Sequence, residues 1–228
     1  MGGRHRFVAA SASRANDIRA LAAGQRLSAG SVSVCSMEQK ELLHRYLRRQ
    51  RDALLSKLDG LGERDIRWPM TRTGTNLLGL VKHTASMELG YFGEVFGRPS
   101  DIPLPWLDDG AEANADMWAT AQESREQIIE LRDAAAAHAD ATIDALDIDA
   151  PGLVPWWRPE KRDVTLHVIL VHMCVEMARH AGHADIVREL IDGDAGDKDG
   201  NLADLTADEW RAHRLRIEHA ATEAAASG

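Results

Sequence analysis

The chain is poor in several residue types, and each shortage removes a class of protein. It has two cysteines, Cys35 and Cys174, in 228 residues, and neither belongs to a CxxC pair. That excludes a disulfide scaffold and fits a reduced, cytoplasmic setting. No apolar run approaches the ~18 residues of a membrane span, so no integral membrane protein is expected. Basic residues are outnumbered, 27 Lys and Arg against 36 Asp and Glu, for a net charge of -9. A nucleic-acid partner, which needs a basic face, is therefore not expected. Phe and Tyr are scarce, three and two, and β-branched runs are short, which disfavours an all-β fold.

Helix-forming residues and tryptophan stand against those shortages. Alanine is abundant, and the six Trp cluster in Pro-bearing segments or pack onto helices. Residues 1–36 carry five Arg and a single acid, a net +4, while the remainder carries -13. They lack the apolar core of a secretory signal, although an Arg- and Ser-rich stretch is also what an organelle transit peptide looks like. They read as a basic, disordered extension from an upstream start, with Met37 opening the domain proper.

From Met37 the apolar spacing is helical. Leu42, Leu43, Tyr46, Leu47, Leu54, Leu55 and Leu58 lead to Gly60 and Gly62 and predict a first helix. The segment from Asp65 to Gly74 reads as a loop, and a second helix is expected from Thr75 to Phe96, stopped by Gly97 and Pro99. A third, Ala-rich and acidic, is expected from Ala111 to Leu146. A fourth is expected from Val164 to Ile191, with Asp163 as N-cap and Gly193 as stop. The acids Asp194, Asp197 and Asp199 hint at a calcium loop. Leu205 stands where the twelfth-position Glu would be, so residues 194–205 read as a solvated turn. Thr206 and Glu209 then fit a capping box for a peripheral fifth helix ending near Thr222. The architecture expected is all-α: a four-helix bundle over 37–193, and an acidic loop plus C-terminal helix over 194–228.

The fourth helix carries the chemistry. On a wheel of about 100° per residue with His172 at zero, Glu176 falls near ~40°, His180 near ~80° and His183 near ~20°. Val168, Val171, Val175 and Ile186 lie between about -40° and -100°. They are expected to form the apolar face that carries this polar stripe into the bundle or its mouth. A carboxylate there needs a compensating charge, and a divalent cation supplies it. Glu176 and His180, four apart, can reach one ion, and His83 on the second helix is the third candidate ligand. A metal with three protein ligands keeps an open position. His172 and His183 then fall to supporting or substrate contacts. His44, His138, His213 and His219, and the charges Arg179, Asp185, Arg188 and Glu189, read as surface residues. Cys174, near ~200°, lies off the stripe.

These segments resemble the DinB superfamily of four-helix-bundle metalloproteins. The fourth-helix stretch LVHMCVEMARHAGHADIVRELIDG and the second-helix stretch GTNLLGLVKHTASMELGYF carry the likeness, which spans Met37 to Gly193. The resemblance implies a metal held by His83, Glu176 and His180. The Glu in that trio is similar to mycothiol-dependent maleylpyruvate isomerases rather than to three-histidine members. It implies a transferase that activates a low-molecular-weight thiol, mycothiol, at zinc or nickel for attack on an electrophile, with His172 or His183 assisting. The oligomeric state stays open at this point; small helical bundles often form homodimers through helix faces. A metal-dependent hydrolase at the same site, and a non-catalytic metal-binding bundle, remain open alternatives. Thiol dependence of turnover separates them.

Overall fold

A computed structural model describes residues 29–196 and 202–226. Most of the first 36 residues, and the centre of the acidic loop read as a solvated turn, lie outside that range. Four long helices make the bundle: α1 (Ala29–Ser56), α3 (Leu77–Phe92), α4 (Arg125–Ala145) and α5 (Leu166–Asp192). A short α2 (Glu63–Arg67) sits between the first two, and α6 (Ala207–Ala226) follows the bundle. Strands β1 (Pro151–Leu153) and β2 (Asp163–Thr165) pair antiparallel ahead of α5, with Gly152 opposite Val164.

The side-chain bonds fix the topology. Along α1, the partners on α4 run backwards: Lys40 donates to the Leu146 carbonyl, His44 meets Asp140, and Asp52 meets Arg132. Helix α5 runs with α1, since Cys174 contacts the Leu43 carbonyl and Arg188 the Lys57 carbonyl. Helix α3 opposes α5, with His83 beside His180 and Tyr91 beside His172. The order is up, down, down, up. Between them Leu47, Leu54, Leu78, Phe92, Ile143, Ile169, Leu170 and Met173 close a continuous apolar core. Each such side chain contributes about 1.5–3 kcal/mol by leaving water.

The helix ends follow local chemistry and correct several sequence-based boundaries. The first helix begins at Ala29, ahead of Met37. Asn76, not Thr75, caps α3, its Oδ1 accepting from the Gly79 amide. The helix stops at Phe92, and Glu94–Phe96 continue only as a 3-10 turn. The third helix expected from Ala111 starts instead at Arg125. Ser124 and Gln127 form a reciprocal capping box there, which ends propagation toward the N-terminus. The Asp163 N-cap expected for the fourth helix is replaced by Thr165, because Asp163 is spent in β2. Gly193, at φ 82°, ends α5 in the left-handed conformation that glycine tolerates. Thr206 and Glu209 do form their box, and every residue of α6 that follows is exposed or half-exposed.

Polar residues read as surface turn out to brace the interior. His44 is buried against Asp140. Arg188 is buried, and its guanidinium caps the carbonyls of Lys57 and Asp59 just past the end of α1. Those acceptors have no partner within the helix, so the arginine supplies what the backbone lacks.

Candidate metal centre

The polar stripe of α5 borders the core from the side opposite to the one expected. The core face is Leu166, Ile169, Leu170, Met173, Met177, Ala184 and Val187. Val168, Val175 and Ile186, expected inside, are 44%, 63% and 61% exposed. Helix α5 is apolar on both flanks of the stripe, and packing against α1 and α3 selects one. His172, Glu176, His180 and His183 therefore run along the seam where α5 leaves the core and faces α3.

Three of the five sequence-selected residues converge. The Nε2 of His180 lies 3.0 Å from Oε1 of Glu176, and the Nε2 of His83 lies 3.7 Å from the same oxygen. The two imidazoles stand edge to face at 4.8 Å. One donor atom from each of the three lies within 4.8 Å of the others, the one such cluster among the described residues. His183 packs against His180, ring to ring at 5.4 Å. His172 is apart, one turn before Glu176, in an aromatic niche 4.7 Å from Tyr91 and 5.0 Å from Trp157.

Asp116 completes the cluster, and nothing in the spacing announced it. Its Oδ2 lies 2.6 Å from Nδ1 of His83. It arrives on the 3-10 turn Ala115–Met117, laid against α3 by three neighbouring residues. Asn76 donates to the Met117 carbonyl at 3.2 Å, and Lys82 donates to those of Ala115 and Trp118, each at 3.0 Å. Between them is Gly79, where any side chain would collide with the Met117 carbonyl. The close approach needs a glycine, and it delivers Asp116 one turn along, at His83.

The electrostatics favour a cation. Burial raises the Glu176 carboxyl, but the hydrogen bond from His180 and the charges of His180 and His83 outweigh it and hold it below the usual range. Burial, with His83 and His183 nearby, holds His180 below an ordinary histidine against the pull of Glu176. Burial does the same for His172. The cluster thus favours an ionised Glu176 carboxylate, with His172 and His180 both made less basic by burial. His180 turns its Nε2 to Glu176, while its buried Nδ1, on the other side of the ring, has no hydrogen-bond partner. Two imidazole nitrogens and a carboxylate oxygen form a catalytic-type donor set for a borderline divalent metal, and Asp116 on the far nitrogen of His83 is the usual orienting partner. The residues fit the group.

The tryptophan-bearing segments flank this seam. Trp106 donates to the Ser86 hydroxyl at 2.9 Å and carries the Lys82 ammonium over its ring. Trp157 packs on the core and donates to the Tyr91 hydroxyl, while Trp156 is half exposed beside it.

Comparison with known proteins agrees with the likeness seen in the helices. The description of the mycothiol-S-transferase family, MST, matches residues 42–193, well over half of the chain. No curated protein matches. Among solved structures, the conserved protein of locus from Enterococcus faecalis is similar over 68% of this chain and 97% of its own, at 18% identity and a TM-score of 0.49. Among the described residues, no helix is long and apolar enough to cross a membrane. With a family match that covers three of the four long helices, the second half of α1 and every residue of the triad, the chain belongs to the mycothiol-S-transferase family, a DinB-like family.

Proposed function

We propose that this protein is a metal-dependent transferase that moves a low-molecular-weight thiol, mycothiol, onto a small electrophile in the cytoplasm. The observation that carries the reading is the convergence of His83, Glu176 and His180 on the seam between α3 and α5 in a chain of this family. A bound divalent cation supplies one thing: it lowers the pKa of a thiol, ordinarily about 8.5, so that sulfur is nucleophilic at neutral pH. The chain's own groups do the rest. Asp116 fixes the His83 ring with its proton on Nδ1, which leaves the Nε2 lone pair directed at the cluster. Glu176 provides the negative charge that a cation needs. His172, kept neutral by burial, has a basic nitrogen able to accept the thiol proton, and His183 buttresses the His180 ring. The donor set accepts zinc or nickel alike.

The deciding experiment is elemental analysis of protein purified without a nickel column, alongside Glu176→Ala. About one zinc or nickel per chain, absent from the variant, with turnover that requires added thiol, is the expected result. Protein that holds no metal and takes none up on reloading sinks the reading. Turnover independent of thiol would move the site to hydrolysis. The orienting partner gives a graded test: Asp116→Asn should weaken metal binding by about 10–100-fold while leaving the fold intact, measured by competition with a chelating dye.

A further inference from the structure

The face of α3 that carries His83 continues past it toward a cavity that none of the triad lines. Along α3, on the same wheel of about 100° per residue, Met87, Gly90 and the buried Tyr91 lie within ~80° of His83 toward the end of the helix. Over them opens a cavity of about 580 Å³, roofed by the segment from Ser100 to Asp108 and by Trp156. That volume suits a small organic molecule. The roof is anchored, because Trp106 is bonded to Ser86 and Ser86 in turn to the Lys82 carbonyl.

Two features give the cavity a chemical preference. Its walls are apolar and aromatic, with Met87, Leu104 and Trp156 the main surfaces, while its polar rim carries the carboxylates of Glu94 and Asp108. No lysine, arginine or histidine lines it, and neither carboxylate makes an ion pair among the described residues. The nearest cation, Lys82, is committed to Glu123 and to two backbone carbonyls. The second feature is Gly90. Glycine inside a helix is unfavourable, yet here its φ is ordinary and a Cβ would stand 3.5 Å from the Trp156 ring. A larger side chain at that position would fill the space under the roof.

We infer that this cavity holds the non-reacting body of the electrophile: an apolar or aromatic group bearing a neutral or cationic polar end, with anions disfavoured. The inference rests on the transferase reading for what the occupant reacts with, but not for the pocket's own selectivity. A cation gains from both carboxylates, whereas an anion meets like charge and no counter-charge. A water-soluble thiol suits these apolar walls less well.

The test is calorimetric titration of the full chain with three probes of one shape: 2-phenylethylamine, 2-phenylethanol and phenylacetate. The amine should bind at least about tenfold tighter than phenylacetate, with the alcohol between. Gly90→Leu should abolish binding of all three. The double variant Glu94→Gln, Asp108→Asn alters exposed residues only, and it should keep alcohol binding while erasing the preference for the amine. Phenylacetate binding as tightly as the amine, an undiminished preference in the double variant, or no binding of any probe overturns the inference. His83→Ala should bind the amine normally. Amine binding in protein without metal would uphold the pocket while the proposed function fell, and metal with no probe binding would do the reverse.

Discussion

Arg51→Met is expected to destabilise the protein by about 3–5 kcal/mol at pH 7, a large part of the ~5–15 kcal/mol that holds a domain folded. Arg51 is 3% exposed in its side chain and ties three helices together. Its Nε donates to Glu88 at 2.5 Å and its Nη1 to Asp140 at 2.6 Å. Glu88, on α3, is 1% exposed, and among the described residues Arg51 is its side-chain hydrogen-bond partner, with Arg132 adding only a weaker charge. Taking the guanidinium away strands a carboxylate in the core, which costs more than the pair itself is worth. Adding Glu88→Leu to the variant should therefore restore much of the loss. Acid gives a second signature. Burial pushes the Glu88 carboxyl up despite the arginine beside it, so without the arginine it protonates still more readily. A carboxyl whose folded pKa lies above its unfolded value destabilises the fold as pH rises, so the deficit of the variant should be smaller at pH 5 than at pH 8. Asp140 has the opposite sign in the wild type. Burial raises it, but hydrogen bonds from His44 and Arg51 win and hold it far below the carboxylate range. Its contribution is complete above its unfolded pKa of about 3.9 and is lost as pH falls toward the folded value. Urea unfolding of the three proteins at both pH values decides the matter. A deficit under about 1 kcal/mol, or one that ignores pH, would refute the account.

The same residues show where sequence reading stops. Helices α3 and α5 were legible because long apolar periodicity is the strongest local signal. The α5 stripe singles out Glu176 and His180, and His83 comes from an apolar face of the facing helix, so the sequence names the three together as candidates without showing their convergence. The side of that stripe that faces the core was not legible. Val168 and Val175 on one flank are as apolar as Met173 and Met177 on the other, and only packing against α1 and α3 distinguishes them. Residues 111–124 misled for a related reason. Their Ala and Glu favour a helix, but Asn114 sits at φ 62° and the Ser124 capping box starts the helix late. Asp116 was hidden inside that stretch. Its role depends on Gly79 admitting the turn to α3 at Met117, a contact across 38 positions that no periodicity encodes. His44, Arg51 and Asp140 were hidden because charged residues on a helix read as solvated until a neighbouring helix is laid over them.

His83→Ala should remove the metal and reduce thiol transfer by about 10³-fold or more while leaving the bundle folded. The size follows from two losses. A thiol of pKa about 8.5 is only about 3% ionised at pH 7, so losing the cation's effect on ionisation costs roughly 30-fold. Losing the fixed position of sulfur beside the electrophile costs at least as much again. His83 is chosen over Glu176 because α3 supplies it alone: with it gone, both remaining donors come from one turn of α5 and no ligand bridges the two helices. Some structural cost is expected, since His83 and Asp116 are only 14% and 15% exposed and the carboxylate loses its partner. Thermal melting with and without chelator separates ligation from packing. Wild-type protein should melt lower in chelator, because a ligand bound only by the folded state stabilises it. His83→Ala should show no such difference. His172→Ala should keep its metal, and its chelator-sensitive melting, while losing about 10²-fold or more in rate, as expected for a proton acceptor rather than a ligand. If His83→Ala retains metal and transfers thiol at the wild-type rate, the cluster is a buried polar contact and the chemistry lies elsewhere.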